Sequence, residues 1–213
     1  MIFLKFDLST TETHLQLLRA SEKDEKDRLV ELMNSVAPVQ PERLEPLLSS
    51  LERRELRAGE QLFQILEKNE NEYFVTQGVL RTHVISDEGD DVTFGFYDAP
   101  SILCPSITRT HGGVSTVFCE ALEDSIVYGF EFAVLGELMV HDAQIQNWGN
   151  TVLRNDLLRR AHREQTLVTK NGAQRLQDFR NQHGDLESRV QHSCIASYLG
   201  MTTVSLSRLR NAQ

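Results

Sequence analysis

Cysteine is scarce. Cys104, Cys119 and Cys194 are far apart and odd in number. That excludes a disulfide framework and a C-x-x-C metal pair, and it fits a reduced, cytoplasmic setting. No apolar run approaches the roughly 20 residues of a membrane helix. The apolar start Ile2-Phe3-Leu4 is broken by Lys5 and Asp7, which is too short for a signal-peptide core. Proline occurs five times and tryptophan once, and there is no internal repeat or low-complexity tract. The seven histidines make no His-x-His pair, so a cupin-type metal oxygenase is not expected. No Ser/His/Asp motif, phosphate loop or paired-carboxylate motif stands out. No catalytic residue, metal site or cofactor is therefore assigned, and the chain is not read as an enzyme.

What is present is an ordinary globular composition, 40% hydrophobic and 25% charged over 213 residues. The net charge of −9 conceals an asymmetry. Residues 1–149 hold 12 Lys+Arg against 26 Asp+Glu, whereas residues 150–213 hold 10 against 5. An acidic first part and a basic last part suggest separate tasks, with any polyanion contact in the last part. The alternative is chance clustering of solvated charge.

The hydrophobic period changes along the chain. Residues 1–27 end in the charge run Ser21-Glu-Lys-Asp-Glu-Lys-Asp27 and read as an extension, a solvated helical face or frayed tail. Over 28–52, Leu29, Leu32 and Met33, then Leu44, Leu47, Leu48 and Leu51, recur at helical spacing, with Pro41-Glu42 suited to a helix first turn. Through 54–131 the period falls to two, as in Leu80-x-Thr82-x-Val84 and Val92-x-Phe94-x-Phe96. Turn signals recur about every ten residues, at Gly59, Gly78 and Gly89 among others. This predicts an antiparallel barrel or jelly roll. Residues 132–169 return to helical period, from Val134 and Leu135 through Trp148, Leu157 and Leu158 to Ala161. The favoured reading is a dimerisation helix with Trp148 in the dimer core; the alternative is a core helix on its own barrel. Short helices with turns at Asn171-Gly172, His183-Gly184 and Gly200 fill 170–213.

The segment from Ser193 to Arg210 carries the strongest signal. A helix-turn-helix needs a small residue where its helices cross and a glycine about four residues on for the turn. It also needs apolar residues at fixed offsets on both helices. Ala196 and Gly200 meet the first two needs; Ile195, Leu199, Met201, Leu206 and Leu209 meet the third. The second helix, from about Thr203 to Arg210, would show Thr203, Val204, Ser205, Ser207, Arg208 and Arg210 to double-stranded DNA. Serine and threonine bond phosphate or base, and arginine reads guanine or clamps phosphate. The alternative for Arg208 and Arg210 is a generic basic helix end that suits the helix dipole.

With these residues in hand, roughly residues 28–213 resemble the Crp/Fnr family of bacterial transcription regulators. The resemblance rests on Gly59-Glu60 followed by Leu62-Phe63, on Tyr73-Phe-Val-x-x-Gly-x-Leu-Arg81, and on Ala121-Leu-Glu-Asp-Ser125. It rests too on Ile195-Ala-x-Tyr-Leu-Gly-Met-Thr202 with Leu206-Ser-Arg-Leu-Arg210. The last two look most like the subgroup common in Bacteroidetes. The resemblance implies an α+β chain: an antiparallel β jelly-roll, cyclic-nucleotide-binding-like domain over 28–131, a long dimerisation helix over 132–169, and a small all-α helix-turn-helix domain over 170–213. It implies a cytoplasmic homodimer that binds double-stranded DNA and has no membrane partner.

Two departures bear on function. Nucleotide-binding members carry a Gly-Glu pair and, about ten residues later, an Arg-Ser/Thr pair. On that pattern Cys104-Pro105 and Ser115-Thr116 stand at these positions, so a cyclic phosphate lacks its cation and the ribose its acceptor. The expected effector pocket comprises Cys104, Arg109, Gly112, Gly113, Ser115 and Thr116. Ser115, Thr116 and the Gly112-Gly113 amides would be neutral donors, and Arg109 a substitute cation reaching in from a loop. An exposed loop arginine is the weightier reading of Arg109. The effector is then something other than cyclic AMP, or there is none, with Phe94, Phe96 and Phe118 filling the pocket. The second departure is Thr203-Val204 where members show Arg-Glu, with no β-hairpin wing before Gln213. The rival function is a ligand-binding or protein-interaction module with a degenerate DNA-binding domain. An iron–sulfur sensor of this family needs clustered N-terminal cysteines, and none precedes Cys104.

Overall fold

Period-two segments pair where their turns allow. The computed structural model describes residues 25–212, so the expected extension over 1–27 lies outside the described residues up to 24. A helix over 25–36 (α1) and α2 (Pro41–Ser49) lead into ten strands. These are β1 (Glu52–Leu56), β2 (Gln61–Phe63), β3 (Asn71–Gln77), β4 (Val79–Ile85), β5 (Asp91–Asp98), β6 (Ser101–Ile102), β7 (Thr110–His111), β8 (Val114–Ser115), β9 (Phe118–Ala121) and β10 (Ser125–Glu131). A single-turn helix, α3 (Ser106–Arg109), interrupts them. Two antiparallel four-stranded sheets, ordered β1-β10-β3-β6 and β2-β9-β4-β5, form the jelly roll, and β7-β8 is a separate hairpin. Between β3 and β4, Gly78 takes φ +81°, and a Cβ there would lie 2.2 Å from the Ser125 hydroxyl. Only glycine closes this turn.

Side-chain alternation then sorts the strands' two faces. Inward, Leu62, Phe63, Tyr73, Val75, Leu80 and Tyr97 fill the barrel with Leu103, Cys104 and Cys119. Outward, Phe74, Tyr128 and Phe130 meet α1, α2 and the helices after the barrel. The expected aromatic plug is therefore made by other residues. Phe96 faces away from the barrel interior, Phe94 is exposed, and Phe118 stacks on His83.

The stretch 132–169 is two helices, α4 (Phe132–His141) and α5 (Ala143–Thr169). Asp142 breaks them apart by capping α5, its side chain accepting from the Gln144 and Ile145 amides at 2.8 and 3.2 Å. Trp148 corrects the sequence reading. Its side chain is fully buried within one chain, tilted against Phe74 at 6.2 Å, and its Nε1 donates to the Met33 carbonyl at 2.9 Å. The sequence could not show that α1 and the outer sheet face close over it. Four helices complete the fold: α6 (Gly172–His183), α7 (Leu186–Arg189), α8 (His192–Tyr198) and α9 (Thr203–Asn211). Among the described residues, no helix is long and apolar enough to cross a membrane.

Candidate nucleic-acid interface and effector site

The turn between α8 and α9 is a local consequence of Gly200. At φ +62° it ends α8, its amide bonding the Ser197 carbonyl at 3.0 Å while the Met201 amide reaches back to Ala196 at 3.0 Å. That pair of bonds is the left-handed cap glycine permits. Thr202 then caps α9, its hydroxyl accepting from the Ser205 amide at 3.1 Å. Ile195, Ala196, Leu199 and Leu206 are buried with Leu176, Phe179 and Leu186, and Met201 and Leu209 are packed at the edge.

This burial fixes what α9 shows to solvent. Thr203, Val204, Ser205, Ser207, Arg208 and Arg210 are all exposed, Val204 by 58%. Among the described residues the Arg208 side chain has no hydrogen-bond or ion-pair partner. Arg210 is different. Its Nε donates to Glu187 at 2.8 Å, and its Nη1 meets His192 Nδ1 at 3.0 Å. Glu187 also takes Arg180, and these two arginines hold its carboxyl below the usual carboxylate range, Arg180 the more strongly.

The helix-turn-helix unit leans on the barrel. Val79 and Phe96 share one apolar cluster with Phe179, Ile195 and Tyr198. Ser197 donates to Thr93 at 3.0 Å, and Arg189 bridges to Asp98 at 3.0 Å and Glu123 at 2.8 Å. Beside this seam Arg81 is buried between Asp91 and Glu120, at 2.5 and 2.6 Å. Burial holds the pKa of the adjacent His83 below the ordinary imidazole value, with Arg81 acting in the same direction. Sequence alternation does not reveal that Thr93 ties this cluster to α8, accepting from Arg81 Nη1 and from the Ser197 hydroxyl, each at 3.0 Å.

The six effector-pocket residues lie on the barrel, and their polar groups are largely spent internally. Arg109 is 1% exposed, which corrects the exposed-loop reading. Its guanidinium lies 4.3 Å from the centre of the Phe63 ring, donates to the Asn69 carbonyl at 3.2 Å, and also bonds the Asn71 carbonyl. The Ser115 hydroxyl donates to the Val117 carbonyl at 2.8 Å and the Thr116 hydroxyl to the Arg109 carbonyl at 3.0 Å. Gly112 and Gly113 form the β7-β8 turn. Cys104 is buried in the barrel core, where loss of water raises its thiol pKa. Open space lies outside the barrel wall instead. A cavity of about 100 Å³ sits among Phe74, Phe130, Met139, Trp148 and Leu153, with the Glu72 carboxyl on its lining. Another of about 200 Å³ lies among Leu32, Ile102, Pro105, Val152 and Asp156. Both are bounded by α5.

No family model matches the chain. It is 24% identical over 178 residues to electron transport regulator A of Shewanella oneidensis, covering 78% of this chain and 70% of that protein. The structure of FixK2 from Bradyrhizobium japonicum superposes with a TM-score of 0.66 at 18% identity, over 76% of this chain and 83% of the other. A structure assigned to the Crp/Fnr family of transcriptional regulators, from Eubacterium rectale, gives 0.64 at 17% identity, over 82% and 83%. These likenesses show the fold that the motif resemblance implies, the Crp/Fnr fold: an antiparallel β jelly roll, a long helix and a helix-turn-helix unit.

Proposed function

We propose that this Crp/Fnr-type chain is a homodimeric, cytoplasmic transcription regulator that binds double-stranded DNA through α9 and carries out no catalytic step. The carrying observation is the division of α9: Leu206 is buried against the cluster of α6 and α8 while Thr203, Val204, Ser205, Ser207 and Arg208 face outward. A helix so held offers its N-terminal residues to base edges in the major groove. Arg208 is the available cation for guanine or phosphate, and Arg210 is committed to Glu187.

The dimer reading rests on α5. Leu157, Leu158 and Val168 are 53%, 61% and 82% exposed, and exposed Ala161 lies between them at helical spacing. An apolar stripe of this kind is what a second copy of the same helix covers.

For the effector, cyclic AMP is not expected to bind well. The Ser115 and Thr116 hydroxyls are engaged internally, and Arg109, 1% exposed beneath the Phe63 ring, is closed off from solvent. A neutral or weakly anionic ligand, or none, suits the pocket better. Calorimetry with cyclic AMP should give no sub-micromolar binding. Titration of a labelled duplex should give an affinity that falls steeply with salt and drops in Arg208→Gln. An unchanged affinity in that variant would favour the rival reading of a degenerate DNA-binding domain.

A further inference from the structure

The basic charge of the last 64 residues is not spent on α9 alone. A crevice between α5, α6 and α8 is lined by Arg159, His162, Arg163, Arg175, Asp178 and Gln182, among others. Its arginines differ sharply in how they are compensated. Arg159 bonds Asp156, as does Arg160 just outside the crevice. Among the described residues Arg163 and Arg175 pair with no carboxylate. Arg163 donates Nη2 to the carbonyls of Thr93 and Tyr198, both at 3.1 Å, and lies 4.8 Å from the Tyr198 ring centre. Arg175 donates Nη1 to the Leu167 carbonyl at 3.3 Å. The Nε of each is buried without a hydrogen-bond partner. The crevice's carboxylate, Asp178, is already taken by Lys170 at 2.6 Å.

A buried donor left without a hydrogen bond is costly, the more so when charged. Two guanidiniums facing one crevice in that condition ask for an anion. Burial holds the Arg163 pKa below the ordinary guanidinium value, and nearby Arg159 adds to this, so the positive charge here is under-compensated. The free space is about 30 Å³, on the order of two or three water-sized occupants. It admits the oxygens of one phosphoryl group and leaves the rest of a ligand outside. Guanidinium forks match phosphate oxygens in charge and geometry.

We propose that this crevice is an anion site for a phosphoryl group, with Arg163 and Arg175 as its cationic ligands. The reading does not require α9 to recognise DNA. Its position gives it consequence, because Arg163 straps the barrel, through Thr93, to α8, through Tyr198. An anion drawing Arg163 away would loosen that strap. The phosphoryl group has two sources, a free phosphate-bearing solute or the DNA backbone.

The test is calorimetry with sodium pyrophosphate at constant ionic strength on wild type, on Arg163→Gln/Arg175→Gln, and on Arg154→Gln as a remote exposed control. Single Arg175→Gln, which gives up one carbonyl bond, stands in if the double variant melts early. Salt titration of a labelled duplex is run on the same proteins. Saturable pyrophosphate binding in wild type and control, weakened at least tenfold in the crevice variant, supports the site with a free solute. No pyrophosphate binding, but a duplex salt slope reduced by about two in the double variant, supports it with DNA as the source. Pyrophosphate binding and duplex slope both unchanged by the crevice substitutions overturn it.

Discussion

Phe96 of the barrel packs edge-on against Phe179 of α6, ring centroids 5.8 Å apart and planes at 70°. The contact joins the jelly roll to the helix-turn-helix unit through one apolar cluster rather than through a loose linker. Edge-to-face aromatic pairs add roughly 0.5–1.5 kcal/mol beyond the area they bury. Phe96→Ala should therefore loosen α6–α9 while leaving the barrel interior intact. Hydrogen exchange should show faster amides in α6–α9 and unchanged protection in β3 and β10. Equal acceleration everywhere would contradict this.

Trp148→Ala should destabilise the single chain, because the ring fills the space beneath α1 and outer-face Phe74. The expected loss is about 3–5 kcal/mol, read from the urea midpoint with the slope unchanged. A variant of wild-type stability that merely fails to dimerise would return Trp148 to the dimer interface.

Leu157→Glu/Leu158→Glu should separate the dimer without unfolding the protomer, since both side chains are more than half exposed. Light scattering at micromolar concentration should report a dimer for wild type and a monomer for the variant, with similar far-UV spectra. A monomeric wild type would refute the dimer directly.

His183 lies against the Phe96, Phe179 and Tyr198 rings, where burial, aided by Arg159, lowers its pKa to about 4. The folded state thus binds this proton less readily than the unfolded chain. Its contribution to stability is complete above pH 6.5 and is lost as pH falls from there toward 4. His183→Phe should flatten that limb of the melting-temperature profile, leaving the part that His83, whose pKa burial also lowers, contributes. A wild-type profile with no acid limb between pH 6.5 and 4 would contradict the assignment.

Much of this was legible in the sequence for physical reasons. Gly200 after Ala196, with apolar residues at fixed offsets, specifies α8–turn–α9 because few other residues permit that cap and crossing. Period two announced the barrel, and Gly78 its turn. What stayed hidden depends on long-range contact. Helical spacing placed Trp148 on an apolar stripe, but which surface covers a stripe is tertiary information. Arg109 looked like a loop residue, yet it turns inward from the end of α3 onto Phe63. The seam of Phe96 and Arg189, and the bond from Arg163 to Thr93, join parts of the chain about 70–100 residues apart. Local patterns carry no signal for such contacts.

The proposed function stands on base reading by α9. Selection from a random duplex pool, compared between wild type and Arg208→Ala, tests it most directly. Wild type should enrich an inverted repeat, with half-sites centred about one helical turn, roughly 10 base pairs, apart. Arg208→Ala should relax one position in each half-site. A wild-type pool that enriches no sequence would contradict it.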